Sequence, residues 1–250
     1  MEEIDYKFVH KDFKINGFSI DRERLIILAV AYVKDGLPYR KSVGRFLLDW
    51  LDDRDYIEAT TSGSTGVPKQ IHLKKQGMVN SALATGEYLK LSPKDRALLC
   101  LPTDFIAGKM MLIRAIVLGL HIDIIRPSSM PLSLTSKDYD FCAMIPLQAA
   151  KSLTDLPRVK KVILGGASID GELEAKLQNI STEVYSSYGM TETISHIAMR
   201  KVNHTEEHET TYKAMPNVIF TQDERHCLVI NAPLIADHPV VTNDMVNLIS

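Results

Sequence analysis

Short runs rich in β-branched and aromatic residues alternate with helix-length segments through the middle of the chain, and this alternation constrains the fold more than any other feature. The runs are YIEAT (56–60), RALLCLP (96–102), HIDIIRP (121–127), DFCAMIP (140–146), KKVILGG (160–166) and TEVYSSYG (182–189). Between most of them lie stretches of helical length, at 74–90, 107–119 and 171–179. Such an order predicts an α/β fold, with a largely parallel sheet covered by helices. Ligands on these sheets bind beyond the carboxyl ends of the strands, where the polar motifs of this chain fall.

Residues 1–55 precede the alternation as a short N-terminal segment with a polar, strand-like start. DRERLIILAVAYV (21–33) and SVGRFLLDWLDD (42–53) then place apolar residues at near-helical spacing. Residues 56–193 form the α/β core, and from about Ile194 short strands with turns predict a smaller antiparallel β-rich subregion over 194–250. The whole of 1–250 is expected to be one large domain. There is no internal repeat or low-complexity segment, and the last residues stop in mid-strand pattern, which reads as a fragment.

A chain of 250 residues can bury a full core. The net charge of −2 supplies no long-range attraction to nucleic acid or acidic membranes, so any polyanion must be held locally. Cys100, Cys142 and Cys227 are far apart in sequence, which argues against a disulfide framework and a thiolate metal site. The acidic, polar N-terminus is unlike a signal peptide, and no window approaches the roughly 18 apolar residues of a membrane span. A cytoplasmic protein is expected, and nothing in the sequence argues against a homodimer.

The run TSGSTGVPK (61–69) follows the strand YIEAT and precedes QIHL, so it reads as a turn between two strands. It is not a Walker loop: two residues, not four, separate Gly63 from Gly66, and Gln70 follows Lys69. Its physics still suits a polyphosphate. Gly63 and Gly66 let main-chain N–H groups approach an anion, Thr61, Ser62, Ser64 and Thr65 add donors, and Lys69 adds a charge. A solvated hairpin is the competing reading.

TSGSTGVPK resembles the phosphate-gripping signature of the AMP-forming acyl- and aryl-CoA synthetase superfamily, the adenylate-forming enzymes, with Gln70 where glycine is usual. SSYGMTETISH (186–196) resembles the YGxTE motif of the same superfamily. The resemblance implies ATP, Mg2+ and CoA as cofactors or co-substrates. Tyr188 would offer a face to the purine, Gly189 a tight turn, Thr191 a hydroxyl to the α-phosphate and Glu192 a hard oxygen to Mg2+. Ser186 falls in the same nucleotide set. The end of VILGGAS (162–168), Gly165, Gly166 and Ala167, would let a flat base lie on the backbone. VVTNDMVNL (240–248) resembles the TGD motif, making Asp244 the ribose candidate, with Asn243 replacing glycine in a turn. The catalytic set implied is Thr191, Glu192 and Lys69.

The family continues into a C-terminal lid domain, expected to be absent here. The short N-terminal segment and the wording YGMTETISH resemble the o-succinylbenzoate:CoA ligases of menaquinone biosynthesis. LPTDFIAGKMM (101–111) occupies the position of a substrate-lining motif, with Phe105 where histidine is usual. An aromatic keto-dicarboxylate would bring a spectator carboxylate that is costly to bury unpaired. Lys109 and Arg114 are the candidates to pair with it, although a solvated helix face is the competing reading for both; Thr193 and Ser195 are lesser pocket candidates. Other readings are an adenylation enzyme for another acid and a nucleotide-binding pseudoenzyme.

HTEEH (204–208) matches a zinc-hydrolase pattern, but its flanks lack the apolar periodicity of a buried helix. His196 reads as a satisfied strand histidine that could touch substrate. Met110, Met111, Ile113, Ile116 and Val117 read as helix core.

Overall fold

A computed structural model describes residues 4–60, 70–205 and 210–249. The chain opens with two short strands, β1 (Lys14–Ile15) and β2 (Phe18–Ser19), then an antiparallel helix pair, α1 (Arg22–Asp35) and α2 (Pro38–Leu51). Asp21 caps α1 by accepting from the backbone N–H of Arg24, and Pro38 starts α2 where no N–H is needed. Strands β3 (Tyr56–Thr60) and β4 (Gln70–Lys74) pair antiparallel, as the strand–turn–strand reading of this region expects.

Next come α3 (Lys75–Leu89), β5 (Arg96–Leu99), α4 (Ile106–Leu118), β6 (His121–Ile124), β7 (Tyr139–Met144), α5 (Pro146–Lys151), β8 (Val159–Leu164), α6 (Gly171–Leu177) and β9 (Glu183–Gly189). The chain then adds β10 (His196–Lys201) and β11 (Lys213–Ala214). Together these strands form a nine-stranded sheet of order β11-β10-β9-β8-β7-β5-β6-β1-β2. Neighbours from β1 through β6, β5, β7 and β8 to β9 run parallel, and β2, β10 and β11 are antiparallel additions at the two sides.

Because side chains alternate along a strand, each central strand serves two cores. Leu99, Phe141, Ala143, Ile163 and Tyr185 face the core built with α1 to α4. Leu98, Cys142, Met144, Val162 and Val184 face a second core containing Ala149 of α5 and Leu173 and Leu177 of α6. Apart from Arg114, helix α4 is apolar and buried from Met110 to Val117, as expected for its methionine and isoleucine cluster. Cys100 and Cys142, distant in sequence, come to 3.7 Å between sulfurs in the second core. Burial and the neighbouring Cys100 push the Cys142 thiol well up, which keeps it protonated.

A separate three-stranded antiparallel sheet comprises β12 (Ile219–Gln222), β13 (Cys227–Asn231) and β14 (Val240–Met245). It begins at Ile219 rather than near Ile194, because β10 and β11 bond to β9 and extend the large sheet. Its β13–β14 connection is tied to α3: Asn80 Nδ2 donates to the Leu234 carbonyl at 2.7 Å, and Lys74 Nζ reaches Asp237 at 2.7 Å.

Lys75 was not singled out by the sequence, yet its side chain is fully buried, with Nζ 2.8 Å from Asp52 Oδ1 and lying over the Tyr6 ring. Burial alone would raise the Asp52 carboxyl, but hydrogen bonds from Lys75 and Arg54 outweigh it and hold the group below its ordinary value. A lowered carboxyl stabilises the fold above the unfolded value near pH ~4 and loses that contribution as pH falls through the folded value. Asp52→Asn should therefore cost about 2–3 kcal/mol at neutral pH, since it leaves a buried ammonium without its counter-charge. It should also flatten the acid limb of a urea-stability profile.

Candidate functional site

The carboxyl ends of β8 and β9 meet at one edge of the sheet. Gly165 Cα faces the Ser187 hydroxyl so closely that a Cβ there would lie 2.5 Å from its oxygen, and Gly166 has φ of +79°. Backbone geometry thus favours glycine at 166, while at 165 a Cβ would displace the Ser187 hydroxyl. Gly165 is half-buried while Gly166 and Ala167 are exposed, which leaves a flat backbone surface beside β9.

Gly189, read as a tight turn off the strand, is the last residue of β9, and its glycine is required by close approach of the returning chain: a Cβ would lie 2.3 Å from the Ser195 carbonyl oxygen and 2.6 Å from His196 Cα. Gly189→Ala should force the two strands apart and cost about 1–3 kcal/mol in urea unfolding, with an unchanged m-value.

Thr191–Thr193 forms one turn of 3-10 helix, after which Ile194 takes φ 65°, ψ −50°. The Ser195 N–H donates to the Thr193 carbonyl at 2.6 Å, so Ile194 is the centre of a γ-turn of the rarer hand. A β-branched residue in that region stores roughly 1–3 kcal/mol of strain, which persists only where surroundings over-determine it. Here Ile194 is buried against Gly77 of α3, and Thr193 Oγ1 bonds to the backbone of Met190 and Ser195. Thr193, read as a pocket residue, is fully buried with its hydroxyl engaged inside this turn. Thr191 is half-buried. Glu192 is exposed, and no hydrogen bond or ion pair ties its carboxylate among the described residues.

Tyr188 on β9 and Asp244 on β14 come together, the phenol donating to Asp244 Oδ2. Burial and this carboxylate push the Tyr188 phenol well up, so it remains a donor. Asn243 and Asp244 are in strand β14 and not in a turn; the Asn243 side chain accepts from Arg225 Nη1 at 3.1 Å. Ser186, read as a nucleotide ligand, is buried with its hydroxyl 2.6 Å from the Tyr212 phenol. Tyr212, which the sequence did not mark, also packs edge-on against the Tyr188 ring at 6.4 Å.

Arg114 departs most from a solvated helix face. It sits mid-way along α4, 2% exposed, inside the core between α3 and the sheet. Its Nε donates to Thr85 Oγ1 at 3.2 Å and its Nη2 to Ser195 Oγ at 2.7 Å. Desolvation lowers the guanidinium from its ordinary range to about 10. No carboxylate among the described residues pairs with it. His196 lies beside it, buried, with Nε2 3.1 Å from Thr85 Oγ1; burial and then the Arg114 charge push this imidazole well down, so it is neutral.

Lys109, five residues before Arg114 on α4, is partly buried over the Phe46 ring at 5.7 Å, and its ammonium is lowered by desolvation against the raising influence of Asp49 and Asp104. Phe105 is at the N-cap of α4 and 66% exposed. The two cations therefore occupy different surroundings, one enclosed and one partly exposed.

Thr61, Ser62, Gly63, Ser64, Thr65, Gly66 and Lys69 lie outside the described residues, as does the HTEEH match beyond Thr205. His204 of that match has Nε2 2.8 Å from the Ile180 carbonyl oxygen. Among the described residues no group of three or more His, Cys, Asp or Glu gathers to hold a metal, and no helix is long and apolar enough to cross a membrane. A single exposed carboxylate such as Glu192 fits Mg2+, which prefers one or two carboxylates plus phosphate oxygens and water to a protein cage.

Comparison with known proteins adds an independent line. The family model described as AMP-binding enzyme matches residues 57–220. A solved structure of an acyl-CoA synthetase (AMP-forming)/AMP-acid ligase II-like protein from Dyadobacter fermentans is 35% identical, with a TM-score of 0.79, covering 89% of this chain and 65% of that one. The 2-succinylbenzoate--CoA ligase of Salmonella typhimurium is 26% identical over 173 residues, covering 68% of this chain and 38% of the relative. The O-succinylbenzoate coenzyme A synthetase of Bacillus subtilis, in complex with ATP and magnesium ion, shares the fold at 21% identity and a TM-score of 0.64, covering 73% of this chain and 42% of that one. This chain spans well under half the length of the two succinylbenzoate enzymes it matches. The family match covers most of the α/β core that carries these motifs, and the chain belongs to the AMP-binding enzyme family.

Proposed function

We propose that this chain is the large domain of an ATP-dependent acid:CoA ligase whose acid is aromatic and carries a second carboxylate, o-succinylbenzoate being the best fit. The observation that carries the acid's identity is Arg114, a buried guanidinium that neutral hydroxyl oxygens alone support among the described residues. An unpaired buried charge is costly unless a ligand completes it, and a planar guanidinium recognises a carboxylate by two parallel hydrogen bonds. Lys109, partly exposed on the same helix, is the second candidate for that carboxylate.

In this reading the reacting carboxylate attacks the α-phosphorus of ATP, pyrophosphate leaves, and an acyl-adenylate forms. The sulfur of CoA then attacks the acyl carbon, AMP leaves, and the thiol proton goes to solvent. Glu192 would hold Mg2+, which supplies charge neutralisation on the phosphates. Thr191 with the 61–69 loop and Lys69 would hold and align the phosphates, while Tyr188, Gly165, Gly166 and Ala167 would bracket the base and Asp244 the ribose. Such chemistry needs alignment and charge rather than a protein nucleophile. A cytoplasmic place in menaquinone biosynthesis follows from the succinylbenzoate reading.

Incubating the protein with o-succinylbenzoate, ATP and CoA should release AMP; absence of AMP with this acid and release with another would move the substrate assignment. A second reading has one observation in its favour: the nonribosomal peptide synthetase gliP of Aspergillus fumigatus is 29% identical over 199 residues, 77% of this chain and 9% of the relative. An adenylating domain of that kind would exchange pyrophosphate with an amino acid and would gain nothing from CoA.

A further inference from the structure

Arg114 and three side chains around its guanidinium close into a ring. Arg114 reaches Thr85 and Ser195, and His196 lies between those two, its Nε2 3.1 Å from Thr85 Oγ1 and its Nδ1 3.4 Å from Ser195 Oγ. Proton counting orders the ring. A threonine hydroxyl has one proton and two lone pairs. Thr85 donates that proton to the Ser81 carbonyl at 2.8 Å, so both other contacts at Oγ1 must be donors. One is Arg114 Nε–H, and the other must be His196 Nε2–H. His196 is therefore the tautomer with its proton on Nε2 and a free lone pair on Nδ1. That lone pair faces the Ser195 hydroxyl, whose oxygen accepts from Arg114 Nη2.

We infer that His196 is a positioning residue for the acid's spectator carboxylate: it orients the Thr85 and Ser195 oxygens so that both bind Arg114, and the rest of the guanidinium fork faces the ligand. The inference rests on the reading of Arg114 as the carboxylate anchor. Thr85 and Ser195 engage two of the guanidinium's five N–H groups, and the remainder meet no acceptor among the described residues. Without His196 the Thr85 oxygen would lose a donor, the Ser195 hydroxyl would lose its acceptor, and the long arginine side chain would gain rotamer freedom. Arg114 is the charged group facing His196 from α4, and the contacts from α3 and from the turn before β10 are the uncharged hydroxyls of Thr85 and Ser195.

The test compares two acids by calorimetry, with Mg2+ and α,β-methylene ATP present throughout. The acids are o-succinylbenzoate and 4-oxo-4-phenylbutanoate, which is the same molecule without the ring carboxylate. His196→Leu should raise the Kd of o-succinylbenzoate about 10-fold, the scale of a lost hydrogen bond to a charged group, and change that of 4-oxo-4-phenylbutanoate less than about 2-fold. His196→Gln, which keeps a donor toward Thr85, should recover most of the loss; if the leucine chain does not fold, His196→Asn, too short to reach Thr85 and Ser195 together, is the working variant and should show the same selective loss. Equal weakening of both acids would assign His196 a structural role and overturn the inference, as would unchanged affinity for both. Wild-type protein that does not prefer the dicarboxylate would overturn the Arg114 reading first, and this inference with it.

Discussion

Glu192→Gln should lower acid-dependent ATP–pyrophosphate exchange by about 100-fold or more, the scale of losing a preorganised electrostatic contact at a reacting phosphate. Stability should stay within about 0.5 kcal/mol of wild type. The separation of the two effects follows from where the residue is. Glu192 is exposed on a single 3-10 turn, and no hydrogen bond or ion pair ties its carboxylate among the described residues. The turn is held by Thr193 and the buried Ile194, neither of which the substitution touches. Exchange within 2-fold of wild type would remove Glu192 from the metal role.

The second large effect is expected at Arg114, and it has opposite signs for folding and binding. A basic group lowered to about 10 by burial destabilises the folded chain by about 3 kcal/mol at neutral pH, because both states are protonated there and only the folded one is desolvated. That penalty fades as pH rises through 10. Arg114→Met replaces the charge with an apolar chain of similar length, and Thr85 keeps its bonds to Ser81 and His196. The variant should be at least as stable as wild type, by up to about 1–3 kcal/mol in thermal or urea unfolding. Its affinity for a dicarboxylate acid should fall about 100-fold. A variant that loses stability while keeping acid affinity would make Arg114 a structural residue. Gain of stability with loss of binding is the signature of a group retained for function.

The central strands were legible because β-branched runs fully buried in a parallel sheet leave a plain mark, and the helices between them because of their length. The short α5 left no periodic signal over Pro146–Lys151. The antiparallel text after Ile194 was legible as strands, yet nothing in HIAMRK says that it bonds to β9 and not to its own small sheet. Candidate site residues could be named from the sequence wherever a motif is contiguous, as at Tyr188 to Glu192. The site was not legible where the partners are remote: Thr85 and Ser195 are 29 and 81 residues from Arg114, and Asp244 is 56 from Tyr188. Arg114 stands among apolar residues from Met110 to Val117, and that unbroken apolar run on both sides of it could have signalled a buried charge. The γ-turn at Ile194 runs against the preference of its own residue type and is imposed by the packing around it.

The central claim is that Tyr188, Asp244 and Glu192 serve one nucleotide together with the 61–69 loop. It is tested most directly by a crystal structure of the protein with α,β-methylene ATP and Mg2+. The account places the adenine against Tyr188 and the Gly165–Gly166 backbone, both ribose hydroxyls on Asp244, the metal on Glu192 and Lys69 on the phosphates. A nucleotide bound with its phosphates remote from either Glu192 or Lys69 would contradict it.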